Sequence, residues 1–170
     1  MHKVLFANDI VLRQADTSMA KSVFSLIELN RSRLEPYLFW TKSITQISDQ
    51  LNFYKKAAQD WNDNIAYHYV IEYKGSVAGA ISVHSISSDR STCEFGFWID
   101  QKFEGKKIIS SAVLAMETTL RDKGFKMIKL RIHKDNIRSI LRAEASGYIL
   151  VSETAESVLR HYIKPLDRIG

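Results

Sequence analysis

The 170-residue chain has one cysteine, Cys93, two prolines and seven glycines. A lone cysteine excludes an internal disulfide and a cysteine-based zinc site. Scarce proline and glycine exclude a collagen-like or low-complexity chain. Long apolar runs are also missing. The longest near the start, Val4 to Ala7, falls far short of the ~20 residues of a membrane span and is too short for a signal-peptide core. The expectation is a soluble, cytoplasmic protein with no membrane partner. The five histidines, His2, His68, His84, His133 and His161, lack metal-ligand spacing, so no metal is expected. The last four of them fall on expected strands and read as structural or exposed.

What is present is ordinary in amount and uneven in placement. The composition is 45% hydrophobic and 25% charged, which suits one globular domain spanning 1–170. The net charge is +5. Between Gln101 and Arg142 lie eleven basic and four acidic residues, a net +7, which leaves −2 for the rest. An acidic partner is therefore sought at that segment, among nucleic acid, acidic protein and phosphorylated cofactors. The aromatics do not interleave with these basic residues as base-stacking platforms would, so nucleic acid is not expected.

Hydrophobic periodicity gives the element order. Ile10 to Gln14 reads as a strand. Asp16 caps a helix whose face carries Ala20, Val23, Phe24 and Ile27. Ser43 to Gln46 has the S-x-x-Q form of a capping box, with Ile47, Leu51, Tyr54, Ala58 and Trp61 as the stripe beyond it. Ala66 to Tyr73 and Val77 to Ile86 form a hairpin about Lys74-Gly75-Ser76. Thr92 to Ile99 is the next strand. A helix with Ile109, Ala112, Val113, Met116 and Leu120 on one face ends at Gly124. Phe125 to Ile132 is a strand. A helix capped at Asp135 or Asn136 runs to Gly147, and strands follow at Tyr148 to Val151 and Val158 to Ile163. The mixture implies an α/β or α+β fold, a sheet with helices packed on it.

Two segments carry chemistry. The loop from Gln101 to Lys107 opens into a helix, whose unpaired amides and positive dipole end attract anions. Gly105 allows close approach, and Lys106 and Lys107 add charge. The alternative is a plain crossover with surface lysines. Farther on, Asn136, Ser139, Glu144, Gly147 and Tyr148 give N-x-x-S-x4-E-x-x-G-Y.

With these motifs, the stretch Asn30 to Tyr37, Trp40 and the strand Glu94 to Asp100, the chain resembles the GCN5-related N-acetyltransferases. Within them it resembles the branch that acetylates ribosomal-protein N-termini. The resemblance implies a mixed, mostly antiparallel sheet splayed open between Glu94–Ile99 and Phe125–Ile132, with helices on both faces. It implies acetyl-CoA in that cleft, its pantetheine arm along Phe97, Trp98 and Ile99. The pyrophosphate would lie on the amides of Gly105, Lys106, Lys107, Ile108, Ile109 and Ser110. Asn136 would stand near the pantetheine. Glu94 would be the general base and Ser139 the general acid.

The implied reaction is transfer of acetyl to a primary amine, foremost a protein N-terminus. Small-molecule amines and a non-enzymatic CoA-binding module remain the alternatives, and a homodimer is compatible. The phosphate loop departs from the family pattern at two positions. Glu104 replaces a Gln or Arg, and Lys107 replaces a glycine.

Overall fold

The computed structural model describes residues 1–166. One eight-stranded sheet runs through it in the order β1-β2-β3-β4-β5-β6-β8-β7. Its strands are β1 (Val4–Ala7), β2 (Ile10–Gln14), β3 (Tyr67–Tyr73), β4 (Ser76–His84), β5 (Thr92–Ile99), β6 (Met127–His133), β7 (Ile149–Ser152) and β8 (Leu159–Pro165). The helices are α1 (Ala20–Leu34), α2 (Ile47–Asn62), α3 (Ile108–Asp122) and α4 (Ile137–Ala145). Every strand pair is antiparallel except β5 with β6. That parallel pair needs a crossover, which α3 supplies.

Alternation along the strands divides the core. One face takes α1 and α2 through Val23, Ile27, Tyr54 and Ala57, which meet Val70 and Trp98 of the sheet. The other takes α3, whose Ile109, Ala112, Met116 and Leu120 pack with Phe95, Ile128 and Leu130. Each such fully buried aliphatic side chain contributes about 1.5–3 kcal/mol. The β3–β4 turn places both Lys74 and Gly75 at positive φ, the geometry that fits the twist of a two-residue hairpin.

Several expectations shift. Val4–Ala7 is a strand, paired with β2 through a tight turn at Asn8 and Asp9, where Asn8 has φ 51°. Asp16 caps a short 3-10 turn (Thr17–Met19) that leads into α1, its carboxylate accepting from the Ser18 amide at 2.7 Å. The expected Ser43 cap is displaced. Ser43 Oγ donates to the Trp40 carbonyl, and α2 is started by Asp49, whose carboxylate accepts from the amides of Thr45 and Gln46. Ser43 itself ends a 3-10 segment, Phe39–Ser43. Asn30 to Leu34 form the last turn of α1.

Candidate active site

β5 and β6 pair only from Thr92 opposite Met127 to Phe95 opposite Leu130. β4 follows β5 farther, as far as Gly79 opposite Ile99. Past Phe95 the sheet therefore forks, and Gly96 to Ile99 present a backbone edge with no β6 partner. Such an edge suits an extended chain bearing amides. Gly79 makes the close β4–β5 approach feasible, since a Cβ there would meet the Trp98 carbonyl oxygen at 2.1 Å.

Two cavities meet at this fork. The first, about 490 Å³, has Phe95 to Ile99 on one wall and Leu130 to His133 on the other, closed by Asn136, Arg138, Ser139 and Arg142. The second, about 480 Å³, lies beneath α1 and α2 and is walled by Phe39, Trp40, Phe53, Tyr54, His68, His84 and Glu94. Phe95 to Trp98, Tyr37, Leu38 and Arg131 line both.

The expected site residues divide between them. Phe97, Trp98, Ile99, Ile109, Asn136 and Ser139 line the first cavity. Asn136 Oδ1 also caps α4, accepting from the Ser139 amide at 3.3 Å. Glu94 lines the second cavity, and its Oε1 accepts from Arg131 Nε at 2.6 Å. Gly105, Lys106, Lys107, Ile108 and Ser110 stand off both linings. Ile108 is core. Lys106 Nζ lies over the rings of Tyr73 and Phe103, at 5.7 and 5.4 Å. Ser110 Oγ accepts from Arg142 at 3.3 Å. Gly105 and Lys107 both have positive φ, at 77° and 59°. Lys107 thus adopts the conformation for which glycine is the ordinary choice. The helix it precedes begins with amides that have no intrahelical acceptor.

The acidic Glu104 is neutralised from both sides. Its carboxylate bonds Arg33 at 2.8 Å and also Arg138. Arg33 reaches Asn30 Oδ1 at 3.0 Å and the Ile99 carbonyl as well. Asn30 Nδ2 donates to Asp100 Oδ1 at 3.0 Å, and its Oδ1 accepts from the Gln101 amide at 3.0 Å. This buried polar knot fastens the loop after β5 to α1. Burial holds the Arg142 guanidinium below its ordinary value, opposed by Glu104.

Arg33, Arg138 and Arg142 thus make the first cavity cationic; Arg138 and Arg142 fall in the basic segment, but none of the three was singled out as a site residue from sequence. Arg138 and Arg142, four apart on α4, could have been found as neighbours on one helix face. Arg33 had no local signal. Its Nε is buried without a hydrogen-bond partner among the described residues. Three guanidiniums beside an open strand edge and a helix N-terminus fit a ligand with phosphates at one end and amides along its length.

The second cavity is mostly apolar, with two imidazoles near the carboxylate. Burial pushes His68 down to about 4, helped by the neighbouring His84. Burial also lowers His84, opposed by Glu94 and assisted by Arg131. Both rings are held neutral at physiological pH. Among the described residues no cluster of His, Cys, Asp or Glu could hold a metal ion, and no helix is long and apolar enough to cross a membrane.

The chain is similar to known proteins. Residues 9–149 match the family model described as an acetyltransferase (GNAT) domain. YdaF of Bacillus subtilis, named as a ribosomal N-acetyltransferase, is 31% identical over 107 residues, 61% of this chain and 57% of that protein. The chain thus matches little more than half the length of that relative. The ribosomal-protein-serine acetyltransferase of Escherichia coli is 25% identical over 131 residues, 76% of this chain and 73% of that protein. The solved structure of RimL, a ribosomal-protein alpha-N-acetyltransferase in complex with coenzyme A, superposes with a TM-score of 0.89 at 21% identity, over 95% of this chain and 97% of that one. The microcin self-immunity acetyltransferase MccE, in complex with acetyl-CoA and AMP, gives 0.85 at 24% identity over 93% of each chain. By its match over residues 9–149, the chain belongs to the acetyltransferase (GNAT) domain family.

Proposed function

We propose that this single acetyltransferase domain transfers acetyl from acetyl-CoA to a primary amine, foremost the N-terminal α-amine of a ribosomal protein. The observation that carries the reading is the fork at Gly96, where a cationic cavity and a carboxylate-bearing cavity meet across one strand. The donor supplies an activated acyl group as its thioester. Arg33, Arg138 and Arg142 would hold its phosphates beside the first turn of α3, and the open edge of Phe97 to Ile99 would pair with its amide-bearing arm.

The acceptor amine would enter the second cavity, where the Glu94 carboxylate attracts its positive charge. The amine must lose a proton to attack, and Glu94 is the proposed general base. Ser139, on the opposite wall, is the proposed acid for the departing sulfur. An α-amine titrates near ~8 and a lysine near ~10.4, so the same base has less to do for an N-terminus. Backbone N–H groups of β5 would hold the carbonyl oxygen as charge gathers on it.

A ribosomal-protein acceptor places the reaction in the cytoplasm. A small-molecule amine is the second reading, favoured by the aromatic depth of the second cavity, where Phe39, Trp40 and Phe53 stand partly exposed. A homodimer is supported by edge strand β7, whose Ile149, Leu150 and Val151 are all exposed. Thiol release with a panel of N-terminal peptides and small amines tests the reading. Release that depends on a peptide α-amine supports it, and release with small amines alone overturns the N-terminal acceptor.

A further inference from the structure

Gly96 is the first β5 residue past the last β5–β6 pair, so it stands at the junction of the two cavities. Its missing side chain leaves a space with two polar neighbours. A Cβ built there would lie 3.1 Å from Ser82 Oγ and 3.4 Å from His84 Nε2. Glu94 is on the same strand face two residues earlier, which puts its Cα about 6.5–7 Å from that of Gly96. His84 is the cross-strand partner of Glu94. The imidazole therefore stands nearer the junction than the carboxylate does.

We propose that His84 is a catalytic residue of this site: its Nε2 takes the proton from the attacking amine, and Glu94, held by Arg131, stabilises the imidazolium that results. This rests on the acetyl-transfer reading above and refines its base from one residue to a pair. The amine nitrogen forms a bond to the acetyl carbon, and the carbon–sulfur bond breaks. The amine proton passes to Nε2 and then to solvent, while the sulfur leaves as thiolate and takes the Ser139 hydroxyl proton, which Ser139 recovers from solvent.

The ring is equipped for this. Nδ1 lies 3.0 Å from Ser85 Oγ, which leaves Nε2 turned toward Gly96. Burial keeps the ring neutral and able to accept. One oxygen of Glu94 is occupied by Arg131 Nε at 2.6 Å. The groups facing His84 are His68 and Ser82 across β3 and β4, Glu94 on β5 and Arg131 on β6, with Gln50 and Tyr54 of α2 in the same cavity. Glu94 is the one anion among them and Arg131 the one cation. A base pair of this kind titrates as a unit.

The test is the pH dependence of acetyl transfer to an N-terminal peptide by the full chain, in wild type and His84→Asn. The expected result is a kcat lowered ~10²-fold or more near pH 7, an unchanged KM for acetyl-CoA, and a defect that shrinks toward pH 9, where the α-amine is already neutral. Imidazole NMR on wild type gives a readout independent of turnover. His84 should titrate below the ordinary ~6.5, lower still in Glu94→Gln and higher in Arg131→Gln. A His84→Asn variant with the wild-type rate and pH profile overturns this proposal alone, as does a His84 titration indifferent to Glu94. A wild type that acetylates no amine overturns the acetyl-transfer reading along with it.

Discussion

Glu104 lies between two arginines from opposite ends of the chain, 2.8 Å from Arg33 on α1 and bonded also to Arg138 on α4. A carboxylate that looks adverse beside a phosphate site is in this way part of the frame that holds the guanidiniums there. Arg138 lines the first cavity and keeps most of its side-chain surface exposed. Arg138→Ala should weaken CoA about tenfold or more, since a charge-assisted hydrogen bond contributes ~1.5–3 kcal/mol. Glu104→Gln should bind CoA at least as tightly as wild type. Calorimetry at two salt concentrations checks both, and the arginine variant should show the shallower salt dependence.

Lys107 holds a backbone conformation that glycine adopts at less cost. Its φ of 59° is left-handed, and its side chain is outside the cavity lining. Lys107→Gly should raise stability by about 1 kcal/mol and leave CoA affinity within about threefold. Urea midpoints with calorimetry on the same sample measure the two together. A large loss of affinity would show that the lysine itself grips phosphate.

His68 makes stability depend on pH with a definite sign. Its folded value, about 4, lies below the ordinary value of 6.5 because burial disfavours the cation. The unfolded chain therefore binds the extra proton first as pH falls. Stability is full above pH ~6.5 and declines through the window down to ~4. By pH 4.5 the loss from this group is at most roughly 2–3 kcal/mol. His68→Gln should show a flatter urea midpoint between pH 7 and 4.5 than wild type, and equal slopes would remove His68 as the cause.

Cys93 is fully buried, and burial pushes its thiol up to about 12. It should resist thiol reagents at pH 8 until the protein unfolds, then label once per chain. Labelling of the native protein at the rate of a free thiol would contradict that burial.

Much of the fold was legible because it is local. Thr92–Ile99 alternates cleanly and is a strand over those same residues. α3 carries its stripe in one face. Val4–Ala7 escaped because four residues are too few to show a period, although Asn8-Asp9 was a turn signal. The site was legible only where its residues share one element. Glu94, Phe97 to Ile99, Asn136 and Ser139 line the two cavities that meet at Gly96. The charge excess was a poorer guide. Of the eleven basic residues in 101–142, only Arg131, Arg138 and Arg142 line the first cavity, and Arg33 comes from outside the segment. Long-range pairing, such as Arg33 with Glu104 or His84 with Glu94, has no local sequence signal.

The most direct measurement is mass spectrometry of ribosomal-protein N-terminal peptides incubated with acetyl-CoA and either wild type or Glu94→Gln. One acetyl group is expected on the α-amine and none on internal lysines, with transfer by the variant at least ~10²-fold slower and CoA affinity unchanged. Acetylation confined to lysine or to small amines, or an undiminished rate in Glu94→Gln, would contradict it.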